Sequence, residues 1–414
     1  MKKKILAAIM IAMGLFAMTA CGAIEDDIQN PIITVPPVDM SEPTKAPETT
    51  EAPTEVPTEA PTATPEVTEV GLMVGGEKNP IKDREIVDGQ MQSYLTGEWK
   101  DATVVQRRNM AVMIPNNPPA MPQYGLSQAS IYYEAPVEGR ITRLMCMFED
   151  YDELDKIGPI RSSRDYYVYE AMAYDSIYVN WGLAIPFVAP IINTDRIDNI
   201  SYPLQGIEQG GYIDAFGRIS RPGYATEFTG YMFIDGYNKG VEKMKYDTTY
   251  EEHGRFQQAF TFADEGYVAA YENNEDATIV YPGGGETNRG GYGSNKARFE
   301  YNAEDGLYYR YQYGEPQIDE YNNEQLAVTN VVFKVCNGEV REPSDKDYLA
   351  FGVHGTGEAY VFTNGKVIKG TWKRNSDYEA NMFYDENGKE IVFNQGKTWI
   401  CCIWEQYKEY MKWE

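Results

Sequence analysis

Histidine is almost missing from this chain: His253 and His354 are the only two in 414 residues, and neither sits in an HxxxH or CxxC spacing. A zinc centre or a histidine acid–base pair therefore has little to be built from, and the sequence predicts no metal and no cofactor. Nucleophile motifs are missing too, with no GxSxG and no SxxK. Positive charge is scarce, with 37 Lys and Arg against 63 Asp and Glu for a net charge of −26. Such a chain does not hold nucleic acid or lie on anionic lipid through its general field. The uncharged, largely apolar stretch in front of Cys21, Ile5 to Ala20, has 16 residues, short of the ~20 of a membrane helix.

What is present begins with an export signal. Lys2, Lys3 and Lys4 precede that apolar stretch, and Met18, Thr19 and Ala20 lead into Cys21. A basic segment, an apolar core and small residues before a cysteine form a lipoprotein signal peptide over residues 1–20. Cys21 is the lipidation site, and a palmitate-type acyl chain there would hold the protein on the extracytoplasmic face of the bacterial cell membrane. Residues 21–80 then read as the lipidated cysteine and a tether rich in Pro, Thr and Glu, as in EPTKAPETTEAPTEVPTEAP. With almost nothing to bury, this segment is expected to be disordered. At ~3.1 Å per residue in polyproline II form, about 50 residues reach on the order of 150 Å. Residues 22–70 hold 11 acids against Lys45, and the part from Gly71 onward carries −19. Any basic site on that body has to be built locally.

The exported part is expected to be α+β with two lobes. In the first, 100–250, Met110–Ile114 and Ile141–Phe148 read as strands, Ser127–Glu134 as a short helix stopped by Pro136, Arg164–Tyr174 as a helix and Ser176–Trp181 as a strand, which is an α/β order. The second lobe, 255–404, has short alternating strands and the turn dipeptides Asn364-Gly365 and Asn387-Gly388, which favour type I′ hairpins and a mainly antiparallel sheet. Residues 405–414 read as a terminal helix or tail. Cys146, Cys336, Cys401 and Cys402 all fall in strand-like runs and are expected to be buried thiols, with a disulfide from Cys146 or Cys336 as the alternative. PGGGETNRGGYG at 282–293 lacks the Gly-Lys-Ser/Thr ending of a phosphate loop and reads as a hairpin loop.

One cluster carries recognisable chemistry. IGPIRSSRDYY places Arg161, Ser162, Ser163, Arg164 and Asp165 where a helix begins, with Ser162 and Asp165 spaced as a capping box. Free N–H groups and two arginines there suit a carboxylate or phosphate. The structural alternative pairs Arg161 and Arg164 with Glu134, Glu138 or Asp165 as internal struts. YYEAPVEGRITR adds Glu134, Glu138 and Arg143, and two carboxylates beside one cleft could serve as acid and base on a glycan. Asn116 and Asn117 close the first predicted strand, where α/β sheets bind ligands, and Trp181 closes another.

The stretches AVMIPNNPPAMPQYGLSQASIYYEAPVEGRITRLMCMFE and KIGPIRSSRDYY resemble the amino-terminal domain of the YerB-type bacterial lipoproteins. FEYNAEDGLYYRYQYG, TNVVFKV, GVHGTGEAYVFTNGKVIKGTWKR and FNQGKTWI resemble that family's carboxy-terminal domain, so the likeness covers nearly all of 105–404. The resemblance implies a fold and an envelope location but no reaction, because the family has no assigned function. Where relatives usually carry a Pro-His or Glu-His pair, this chain reads RPGYATEFTGYMF, with Phe228 in the histidine position. The expectation is a binding or interaction module for a cell-wall component or an exported protein, with no nucleic-acid partner. The competing expectation is an envelope glycan hydrolase using Glu134 and Glu138.

Overall fold

The computed structural model describes residues 84–283, 291–293, 295–341 and 346–414. Cys21 and the tether lie outside them, as does most of the 282–293 loop. The described residues belong to one unit, Ala63–Glu414. No helix among them is long and apolar enough to cross a membrane.

The fold is mixed α/β and is organised by one ten-stranded sheet. The amino-terminal part supplies β1 (Met110–Pro115), β2 (Ile131–Val137), β3 (Ile141–Phe148), β4 (Ile177–Asn180) and β5 (Asn199–Ser201), with α1 (Asp165–Ala173) and α2 (Ile185–Ile192). Helix α3 (Ile234–Met244) follows, and then the hairpin β6 (Arg298–Asn302) and β7 (Leu307–Gln312). The carboxy-terminal part supplies β8 (Asn330–Cys336), β9 (Gly355–Thr363), β10 (Lys366–Arg374), β11 (Met382–Asp385) and β12 (Thr398–Trp404). Strand order is β11-β10-β9-β8-β12-β2-β3-β1-β4-β5.

The two lobes meet inside this sheet. Strand β12 lies parallel to β2, with Thr398 opposite Ile131 and Cys401 opposite Glu134, and parallel to β8 on its other side. From β8 to β11 the pairing is antiparallel, whereas β1, β4 and β5 are mutually parallel.

The central strands are largely apolar because both sheet faces are covered, and the charged side chains among them, Glu134, Arg143 and Lys334, are buried. Ala111, Met113, Ile131, Tyr133, Ile400 and Cys402 face α1 and α2, while Val112, Ile114, Tyr132, Trp399 and Cys401 face α3 and the β6–β7 hairpin. Full burial of each such side chain contributes roughly 1.5–3 kcal/mol. Adjacent Cys401 and Cys402 thus point to opposite faces. All four described cysteines are buried and free, and Cys146 and Cys336 lie on opposite faces, which excludes a bridge between them.

Several expectations change. Ser127–Glu134 is not a helix: a 3-10 turn, Leu126–Gln128, leads into β2. Ile131, Tyr132 and Tyr133 suit a pleated strand and alternate between the two cores. Pro136 is tolerated because β12 pairs with β2 only as far as Glu134, so no ladder on that side needs its missing N–H. Asn364 and Gly365 form a two-residue turn with φ of +50° and +69°, as type I′ requires. At Asn387-Gly388 only the glycine has positive φ, and Asp385 Oδ1 instead accepts from the N–H groups of Asn387 and Lys389. The last ten residues are neither α-helix nor tail. A 3-10 turn, Glu405–Tyr410, brings Lys412–Trp413 antiparallel to Ile279–Tyr281, where Trp413 packs on Tyr360 and Phe362.

Candidate functional site

Strands β1, β2, β4, β8 and β12 all run in the same direction, so their carboxyl ends share one edge of the sheet, and β3 begins there. Most of the residues singled out in the sequence collect along this edge. The Arg161–Ser163 segment is stitched between two strand ends: Arg161 N–H donates to the Met113 carbonyl at 2.9 Å, and Trp181 N–H donates to the Arg161 carbonyl at 3.2 Å. Ser163 N–H donates to Gly182 at 2.9 Å. Gly182, with φ of +95°, admits this approach, since a Cβ there would lie 2.5 Å from Ser162 Oγ.

The capping box is not formed. Helix α1 begins at Asp165 with Arg164 as N-cap and no side-chain cap, because Ser162 Oγ turns to the Trp181 carbonyl at 3.5 Å. Asp165 is held by Arg341 at 2.5 Å, and the buried Ser163 hydroxyl lies 2.6 Å from that of Tyr178.

Three guanidinium groups stand close together here, and their partners differ. Arg164 is a strut: Nε lies 3.0 Å from both Glu138 oxygens and Nη2 lies 2.5 Å from Oε2, with side chains only 9% and 16% exposed. Burial pushes the Glu138 carboxyl up, but Arg164 more than offsets this and holds it below the ordinary range. Arg161 is more open, pairing with exposed Glu227 at 2.8 Å and lying 5.3 Å from the centre of the Phe228 ring. The position where the resemblance implies a histidine is therefore a buried ring against Arg161.

Arg143 differs from both. It is buried, its Nη1 donates to the Ser162 carbonyl, and among the described residues no carboxylate lies within ion-pair distance. Burial, then the charges of Arg164 and Arg161, pull its pKa down to about 9. A buried cation without a counter-ion is costly, and an anion placed beside it would relieve that cost.

Glu134 is remote from solvent. Asn116 Nδ2, Thr142 Oγ1, Arg310 Nη2 and Trp399 Nε1 all donate to its carboxylate at 2.6–3.0 Å. Asn116 is locked in the same network, with its Oδ1 accepting from Gln317. Neither side chain reaches the surface, whereas Asn117 is half-buried at the start of a 3-10 turn. Trp181 is half-buried, stacked on Tyr202 with ring centres 3.8 Å apart, and Arg218 lies 4.7 Å from its ring.

Sequence reasoning missed Arg310, Arg218 and Tyr202. Arg310 carried a faint signal, an arginine at an inward position in LYYRYQ; it lies between the Phe299 and Trp399 rings, 4.7 and 4.8 Å from their centres. Among the described residues no group of three or more His, Cys, Asp or Glu is arranged to hold a metal.

Comparison with known proteins agrees with this architecture. Residues 95–258 match the family model described as "Protein of unknown function (DUF3048) N-terminal domain", and residues 289–400 match the model of its C-terminal domain. A relative from Bacillus subtilis (strain 168), named "Putative lipoprotein YerB", is 26% identical over 315 residues, which is 75% of this chain and 86% of that protein. The crystal structure of YerB from Bacillus subtilis is similar with a TM-score of 0.62 at 24% identity, over 78% of this chain and 98% of that one. With both domain models matched in order and the fold shared, this chain belongs to the YerB-type family, DUF3048, whose function is unknown.

Proposed function

We propose that this protein is a lipid-anchored binding module on the extracytoplasmic face of the cell membrane, and that it recognises an anionic group of a cell-wall component or of an exported protein. The observation behind this reading is Arg143, a buried guanidinium beside Arg161 and Arg164 with, among the described residues, a single backbone acceptor and no carboxylate within ion-pair distance. Carboxylate and phosphate are the groups whose geometry a guanidinium fork matches. Asn117, Ser162 and Trp181 would complete the contact surface, while Arg164, Ser163 and Asp165 hold its shape.

The hydrolase alternative finds less support. Glu134 has both oxygens occupied by donors and no path to solvent, and Glu138 is held by Arg164. Neither is placed to exchange a proton with a sugar.

Thermal melts of the native chain in inorganic phosphate or acetate, at ionic strength matched with chloride, test the anion site. Binding to the folded state raises the midpoint with anion concentration. Arg143→Gln keeps a donor for the Ser162 carbonyl and removes the charge, so the anion response should vanish while the variant remains folded. An unchanged response in Arg143→Gln would reject the site.

A further inference from the structure

A second feature on the same sheet edge adjoins the arginine cluster at Glu138, the partner of Arg164, and is otherwise built from other residues. The parallel strands β8, β12 and β2 end at Cys336, Trp404 and Val137, and the segments that follow them enclose a cleft of about 860 Å3. Crevices beyond the carboxyl ends of parallel strands are where α/β sheets place their ligands, and 300–1,000 Å3 is the usual size of a ligand pocket.

The lining is chemically mixed. Glu339 and Asp347 bring carboxylates whose side chains have no hydrogen-bond or ion-pair partner among the described residues. Gln406 brings an amide donor, and Arg140, which already has a partner, brings positive charge. Two half-buried rings stand among them: Trp404, fixed edge-on to Phe351 at 5.7 Å, and Tyr407, edge-on to Trp404 at 5.3 Å.

Each simpler ligand class leaves part of this lining unused. A phosphate or carboxylate would meet two free acids. A basic peptide would meet Arg140. An apolar chain would strip water from charged groups with nothing in return. A sugar ring has hydroxyls that both donate and accept, and C–H faces that pack on aromatic rings. We infer that this cleft binds a hydroxyl-rich glycan strand, with Trp404 and Tyr407 as the stacking surface and Glu339 and Asp347 as hydroxyl acceptors. The inference shares the reading of the chain as an envelope binding module, and uses different residues from the anion site.

The test is isothermal titration of the detergent-solubilised full-length protein with an N-acetylglucosamine hexamer. The native chain should bind it. Tyr407→Ala, and separately the pair Glu339→Gln with Asp347→Asn, should weaken binding at least tenfold while melting at the native temperature. Arg143→Gln should bind the hexamer as the native chain does, so loss of the anion site and loss of the glycan site are read separately. No binding of the hexamer by the native chain would overturn the inference, as would equal affinity in all variants. Oligolysine binding that disappears with Glu339→Gln and Asp347→Asn, without hexamer binding, would overturn it in favour of a cationic partner.

Discussion

Replacing Arg164 and Arg161 one at a time should separate a structural arginine from a surface one. Arg164→Gln removes a fork that engages both Glu138 oxygens in a pair 9% and 16% exposed. Breaking one side of a wholly buried pair costs about 3–5 kcal/mol, and the residual exposure reduces this to roughly 2–4 kcal/mol. Arg161→Gln removes a pair whose side chains are 26% and 51% exposed, for which about 0–1 kcal/mol is expected. At ~2 °C per kcal/mol for a large domain, Arg164→Gln should melt roughly 4–8 °C lower, and Arg161→Gln within about 2 °C of the native chain.

The acid limb gives a second readout. The folded Glu138 carboxyl lies below its ordinary value of 4.5, so its pair stabilises the fold above that pH and the contribution is lost as pH falls through the depressed value. In Arg164→Gln this acid-dependent loss should shrink, because the variant no longer has the interaction to lose. Differential scanning calorimetry across the acid range measures both effects. Equal destabilisation by the two substitutions, or a larger one from Arg161→Gln, would refute the assignment of Arg164 as the strut.

Three further outcomes follow from other parts of the molecule. Cys21→Ser should abolish incorporation of a fatty-acid analogue in metabolic labelling, and persistent label would refute the anchor. Glu134→Gln leaves Arg310 buried without its counter-charge, at a cost of about 3–5 kcal/mol in chemical denaturation; a loss below ~1 kcal/mol would contradict the buried network. Cys146, Cys401 and Cys402 are wholly buried with thiol pKa values pushed up by that burial, so a thiolate-reactive dye should label them only after unfolding.

Much of the amino-terminal lobe was legible because its signals are local. Met110–Pro115 is an unbroken apolar run and Ile141–Phe148 is apolar apart from Thr142 and Arg143, and a run of that length buried on both faces reads as a strand wherever its neighbours lie. Ser127–Glu134 misled because a polar start and a following proline imitate a short helix, while the pairing that makes it a strand comes from distant residues. The arginine cluster was visible as a local excess of positive charge in an acidic chain. Which arginine has a carboxylate was not visible, since Arg164 meets Glu138 from another loop and Arg161 meets Glu227, 66 positions away. Trp404 and Tyr407 were legible only as the end of a strand and the start of an expected helix. Their role in a cleft depends on β2, β8 and β12 ending side by side, which no local pattern encodes.

The insertion of β12 beside β2 has a consequence for how the protein is made. Glu134 and Cys401 face each other across that seam, 267 positions apart, and synthesis at 5–20 residues per second separates their appearance by roughly 15–50 s. During synthesis the amino-terminal part emerges first, with one flank of Ile131–Val137 unpaired and strongly apolar. Such an edge is a template for pairing with other chains, and closure must wait for nearly the last residues to arrive. Synthesis of this protein therefore includes an interval of vulnerability set by chain order, in which a shielding factor, or crowding by other unfinished chains, decides between the native seam and aggregation.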